Sequence, residues 1–167
     1  MSDLAERRLK TVRDHMALEC SCDWDAVIET FEHPRYEMYG PGTVFDGEAQ
    51  VRGYFAASRK PFPDQANEII ALAHDGDTVL VEFWLTGTHL GPLRLPGGMV
   101  EPTGKSFKIR MAASFEFPPG GDRIICEDEA AKTPHWTVQR TIAFHGLNPI
   151  GDNKVNREFP VGVRDCG

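Results

Sequence analysis

The sequence predicts an α+β domain with its helices first and its strands after them. Three observations carry that reading. Apolar residues recur at helical spacing between residues 3 and 58. From residue 66 onward they alternate with polar ones. Gly-, Pro- and Asp-rich turns then cut that second half into a meander. Helices grouped ahead of antiparallel strands are the signature of α+β rather than α/β organisation.

The first helix starts near Asp3, with Glu6 placed for a capping box. Ala5, Leu9, Val12, Met16 and Cys20 form its apolar stripe. A second, shorter helix starts near Asp23, buries Trp24, Val27, Ile28 and Phe31, and ends at His33-Pro34. Tyr36–Tyr39 and Thr43–Phe45 are short strands around Gly40-Pro41-Gly42. Asp46 is the expected cap of a third helix, with Val51, Tyr54, Phe55 and Ser58 on one side and Pro61 and Pro63 ending it.

Ala66–His74 and Thr78–His89 then read as strands joined by Asp75-Gly76-Asp77. Val79, Val81, Phe83, Leu85 and His89 share one face; Glu82, Trp84, Thr86 and Thr88 share the other. Gly91–Gly104 reads as a loop. Ser106–Phe117 puts Phe107, Ile109, Met111, Ala113 and Phe115 on one face. Pro118–Asp122 is a hairpin turn, and Arg123–Glu129 is the last expected strand. A sheet with one apolar face under amphipathic helices often curves around a cavity, so polar residues on that face are the ones to examine.

Composition bounds the function. The 167 residues carry 18 basic and 25 acidic side chains, a net charge of −7. Acidic chains repel nucleic acid and anionic lipid, so neither is an expected partner. No apolar stretch is long enough to span a bilayer. The charged N-terminus has no apolar signal core, so a cytoplasmic location is expected. Cys20, Cys22, Cys126 and Cys166 lack zinc-site spacing, and no metal is expected. Phosphate-loop and nucleophile-elbow motifs are absent. Residues 130–167 are net basic, rich in Gly and Pro, and weakly periodic. Two segments are therefore expected: a domain at 1–129, and an irregular extension at 130–167 packed on the domain or on a partner subunit.

An ordered set of short motifs resembles the SnoaL-like branch of the nuclear transport factor 2-like superfamily. The set is Asp23-Trp24-Asp25-Ala26, Gly42 with Asp46-Gly47, Phe62-Pro63-Asp64, Gly76-Asp77-Thr78-Val79, Gly87-Thr88-His89-Leu90-Gly91, Pro102-Thr103-Gly104 and Arg123-Ile124. The resemblance covers roughly residues 5–129. It implies a cone in which three helices pack on a strongly curved, mostly antiparallel sheet, usually as a homodimer. Relatives with this cone include polyketide cyclases, ketosteroid isomerase, scytalone dehydratase and limonene epoxide hydrolase. Cyclases of this branch use an acid near the end of the last long strand, a position that falls on Glu129. The histidine that assists it falls near Ala113, where this chain has none.

The candidate catalytic residues are Glu129, Glu127, His89 and Tyr36. Glu127 and Glu129 lie two apart and share a strand face. Inside an apolar cavity, desolvation and mutual repulsion would raise at least one of them toward neutrality, as general acid/base work requires. The other reading is an acidic strand end fraying into water. His89 continues an inward register and could polarise a substrate oxygen, or could simply bond loop backbone. Tyr36 could donate to a bound carbonyl, or serve as a core residue. Trp24, Tyr54, Phe83, Ile109, Met111 and Ala113 are the expected pocket lining. The functional expectation is cofactor-free acid/base catalysis of isomerase, cyclase or dehydratase type on a small apolar oxygenated molecule. The alternative is a non-catalytic ligand-binding or dimerisation module of the same fold.

Overall fold

The computed structural model describes residues 2–38, 42–95 and 97–131. Helix α1 spans Asp3–Ser21, α2 Trp24–Glu29 and α3 Glu48–Ser58. The strands are β1 (Arg35–Met38), β2 (Thr43–Asp46), β3 (Ala66–Asp75), β4 (Thr78–Thr88), β5 (Leu93–Leu95), β6 (Gly98–Val100), β7 (Ser106–Glu116) and β8 (Cys126–Ala131). Six strands form one curved sheet in the order β2-β1-β8-β7-β4-β3. Every pairing in it is antiparallel except β1 with β8. The expected α+β class and mostly antiparallel sheet are therefore present.

The helices follow from their stripes and caps, with small shifts. Ser2, not Asp3, caps α1, its side chain accepting from the Ala5 amide. Asp23 caps α2 through the Ala26 amide as expected. Asp46 does not cap α3: it ends β2, paired with His33 and Arg35, and Gly47 takes the cap position. Helix α2 stops at Glu29, and Phe31 is buried instead by a parallel bridge to Ile124. The Gly91–Gly104 stretch is more ordered than expected, because β5 and β6 form a small hairpin within it. Gly91 itself is required: a Cβ there would meet the Lys60 carbonyl oxygen at 2.0 Å. The first two residues of the expected 130–167 extension end β8; Tyr39 and residues 132–167, with the rest of that extension and Cys166, lie outside the described residues.

The core fills the space between α1, α3 and one face of the sheet. Val12, Met16, Val51 and Phe55 from the helices meet Val79, Val81, Phe83, Ala113 and Phe115 from the strands. One end of this layer is pinned by a buried cation. Arg8 sits in the buried face of α1 and donates to the carbonyls of Gly121, Gly76 and Pro118 at 2.7, 2.8 and 2.9 Å. It also pairs with Asp77 at 2.8 Å and lies over the Phe117 ring. One guanidinium thus ties the helix to the β3–β4 and β7–β8 turns. Replacing it with an apolar side chain removes the partner of three partly buried turn carbonyls and of Asp77. Arg8→Met is expected to destabilise the fold by about 2–4 kcal/mol. Urea unfolding should show this as a lower midpoint at unchanged slope; an unchanged midpoint would assign the clamp no role.

Candidate functional site

Strand parity decides what enters the concave side. In β7–β8 pairing, Phe115 faces Glu127 and Ala113 faces Glu129; on the other edge of β8, Tyr36 is opposite Glu127. Cross-strand partners share a face. Phe115, Ala113 and Tyr36 are core residues, so both glutamates point into the core. Helix α1 closes over them. His15 and Glu19 lie three residues after Val12 and Met16, on the same buried stripe. Tyr54 from α3 and Arg59 just after it complete the group.

Hydrogen bonds then arrange the cluster. His15 is fully buried, and its Nδ1 lies 2.7 Å from Thr30 Oγ1. Its Nε2 lies 3.0 Å from Glu127 Oε2 and 3.9 Å from Glu19 Oε1. The imidazole is wedged edge-on between Phe31 and Phe115. The Tyr36 hydroxyl is within hydrogen-bonding reach of both β8 glutamates and of Tyr54. Arg59 lies over Trp24, which stacks on Phe55, and it donates to the Glu19 carbonyl at 3.2 Å. A cavity of about 10 Å³, roughly one water, opens beside them, with Glu19, Tyr36, Tyr54, Arg59, Phe83 and Glu129 in its wall.

Burial sets the protonation states. Desolvation, reinforced by Glu129, holds the Glu127 carboxyl well above the usual carboxylate range. Desolvation and the nearby Glu127 push Glu19 up to about 8. Desolvation also raises Glu129, but Tyr36, Arg59 and His15 oppose it. Burial lowers His15 against the pull of Glu19 and Glu129. The close His15–Glu127 contact is therefore a neutral pair rather than an ion pair near neutrality. Desolvation first, then the two β8 glutamates, raise Tyr36 so that it stays a donor.

The structure brings Glu127, Glu129 and Tyr36 together, as the sequence suggested, but leaves His89 elsewhere. His89 is buried beside Phe62, its Nδ1 is 3.1 Å from Thr103 Oγ1, and its backbone bonds Gly104 and Lys105. It is not in the wall of the cavity. Of the expected lining, Tyr54 and Phe83 border the cavity. Met111 and Ala113 are buried in the core, and Trp24 and Ile109 pack against it. His15, Glu19 and Arg59 are functional candidates that sequence reading missed. The first two stood in a helical stripe read only for its apolar members, and Arg59 lies just past the helix end.

Among the described residues, two clusters bring metal-type donors within 4.8 Å of one another: His15, Glu19 and Glu127 inside the core, and Glu37, Cys126 and Asp128 on the opposite face of β8. In the second, Asp128 is satisfied by Ser114 Oγ at 3.2 Å and by the Cys126 thiol. In the first, 3.0 Å between His15 and Glu127 is the spacing of a shared proton.

A family model described as a SnoaL-like domain matches residues 12–127. The chain belongs to the SnoaL-like family. No curated protein matches this SnoaL-like chain. Solved structures do. A protein of Jannaschia sp. CCS1 assigned as a SnoaL-like polyketide cyclase aligns at TM-score 0.68 and 19% identity, over 79% of this chain and 90% of that one. SalBIII, an epoxide hydrolase/cyclase-like enzyme with a role in pyran ring formation in salinomycin, aligns at 0.62 and 22%, over 77% and 92%. A Catenulispora acidiphila DSM 44928 protein of ketosteroid isomerase-like fold, in complex with trimethylamine, aligns at 0.59 and 19%, over 83% and 93%. These likenesses establish the fold. Among the described residues of the SnoaL-like chain, no helix is long and apolar enough to cross a membrane.

The buried acids give stability a definite pH slope. A carboxyl whose folded value is raised makes the folded state the better proton binder, so its contribution is present at low pH and lost as pH rises. For Glu19 that loss runs from 4.5 to about 8. His15, lowered from 6.5 by burial, acts oppositely: its contribution is present above 6.5 and lost on acidification. The two slopes oppose below 6.5, so the clean fall in stability lies between 6.5 and about 8. Glu19→Gln should shallow that fall in urea titrations run across the window; an identical slope would place Glu19 in water.

Proposed function

We propose that this SnoaL-like protein is an acid/base catalyst that works with its own side chains on a small, apolar, oxygen-bearing molecule. The reaction class is proton transfer next to a carbonyl or epoxide, as in isomerisation, ring closure or dehydration. One observation carries this reading: two carboxyls whose proton affinity burial raises meet a tyrosine hydroxyl beside an internal cavity. Carboxyls raised toward neutrality are what general acid/base chemistry requires.

The roles follow from the environments. Glu129 borders the cavity and has the Tyr36 hydroxyl and Arg59 to favour its anion, so it is the base. Tyr36, also in the wall, would turn its hydroxyl from Glu129 to the substrate oxygen as Glu129 takes up a proton and charge develops on that oxygen. Glu127, buried and protonated, is kept out of the base role. The cyclase and epoxide hydrolase/cyclase-like names of two structural relatives are in keeping with this chemistry.

A second reading rests on the cavity itself. It has room for about one water as it stands, and Tyr54, Phe55 and Phe83 occupy much of its wall. That favours a ligand-binding or dimerisation module whose acids only tune binding. For either reading we propose a cytoplasmic homodimer. Its interface would use the outer sheet face, where Arg110 pairs with Glu82 at 2.5 Å and both Arg110 and Lys108 lie over Trp84.

Small cyclic enones, β-hydroxy ketones and epoxides are the probes. With any compound turned over, Glu129→Gln should lower kcat by about 10²–10⁴-fold while the thermal melting point holds or rises. Turnover that survives in Glu129→Gln, or binding of probes with no turnover at all, would support the non-catalytic reading instead.

A further inference from the structure

Resting on the acid/base reading above, the geometry points to His15 as a positioning residue that decides which of the two β8 carboxyls is the base. The argument starts at Thr30. Its hydroxyl has one proton, which it donates to the Val27 carbonyl at 2.6 Å. The same oxygen lies 2.7 Å from His15 Nδ1, so it must accept there, and Nδ1 carries the ring proton. Thr30 is itself fixed by its carbonyl, which accepts from the Ile124 amide at 2.9 Å. The imidazole is thereby locked with a bare Nε2.

That bare nitrogen lies 3.0 Å from Glu127 Oε2. Neither atom has an aligned hydrogen-bond partner, although both residues are at most 2% exposed. Two bare acceptors would repel at this distance, so with Nδ1 carrying the ring proton the proton between them belongs to Glu127. Glu127 therefore spends its proton on His15. Kept neutral in this way, Glu127 leaves the Tyr36 hydroxyl, which is within reach of both carboxyls, to favour the anion of Glu129, the carboxyl that borders the cavity. The charged and titratable groups around the imidazole are Glu19 on its own helix, Glu127 and Glu129 on β8, Tyr36 on β1, Tyr54 on α3 and Arg59 beyond it. Among the described residues of this group Arg59 is the fixed cation, and it favours Glu129 and Glu19.

Nitrogen NMR of protein labelled at its histidine ring nitrogens tests the lock. His15 is assigned by the signal missing from His15→Phe, a replacement that keeps a ring between Phe31 and Phe115. At pH 7 the wild type should show one proton on Nδ1 and a hydrogen-bonded, unprotonated Nε2. Glu127→Gln, which offers an amide N–H, should keep that pattern, and Glu127→Ala should lose the Nε2 hydrogen bond. Thr30→Val should mix the two ring tautomers. Infrared difference spectra against Glu129→Gln then report Glu129 directly: in His15→Phe its midpoint should rise by about one pH unit, as two carboxyls begin to share a proton. An Nε2-protonated or doubly protonated ring at pH 7 overturns the inference. So does an unmoved Glu129 midpoint, and so does stoichiometric Zn²⁺ or Mn²⁺ binding that His15→Phe abolishes. Should His15→Phe not fold, Thr30→Val and the Glu127 pair carry the test. None of these readouts needs turnover, so failure of the catalytic reading leaves them standing and their failure is seen separately.

Discussion

The parity of β8 is the constraint on which the site depends. Side chains alternate across a strand, so placing Cys126 and Asp128 on one face commits Glu127 and Glu129 to the other. The register with β7 and β1 then sets them among Phe115, Ala113 and Tyr36. A shift of one residue would reverse the faces and turn Cys126 and Asp128 inward in place of the two glutamates. Ions buried without a partner cost several kcal/mol. The fold meets that cost by keeping Glu127 and Glu19 protonated and by giving Glu129 a hydroxyl and a guanidinium. The chemical potential of the site and the burial of its acids thus have the same cause.

Helix α1 answers this constraint from the other side of the core. Its buried face has three polar members, Arg8, His15 and Glu19, spaced along one stripe. Arg8 is wholly structural, its donors spent on three turn carbonyls and Asp77. His15 and Glu19, two and three turns further on, meet the acids of β8. The helix is therefore clamped at one end and chemically engaged at the other. Rigid anchorage near residue 8 keeps the His15–Glu127 distance short enough for a proton to be held between them.

Much of the fold was legible in the sequence because it rests on periodicity. Alternation in Val79–Leu85 and Phe107–Phe115, and the stripe Leu9-Val12-Met16, are direct consequences of burial and survive into the structure. The acid pair was legible for the same reason. His15 and Glu19 were not, because a stripe sought through apolar residues hides the polar ones that share its angle. His89 was misplaced as a site residue because register fixes a face but not a position along it: it lies at the loop end, where Thr103 engages its ring. Asp46 was misread as a cap because its salt bridges to His33 and Arg35 arise from residues distant in sequence.

The residues at the cavity also constrain how a molecule could enter. Phe83 comes from the middle of the sheet and is buried, whereas Tyr54 and Arg59 sit on or just beyond α3. Arg59 is held by a ring contact to Trp24 and one bond to the Glu19 carbonyl. Such exposed-side contacts are weaker than the packing around Phe83, so space for a ligand is gained most cheaply on the α3 side. Moving Arg59 away would also remove a cation from Glu129 and Glu19, raising both toward protonation. A ligand that displaces Arg59 must then supply its own favourable contact with Glu129, which a polarised C–H or a hydroxyl can do and a plain hydrocarbon cannot. On the proposed reading, that requirement would favour oxygen-bearing molecules over hydrocarbons before any chemistry occurs.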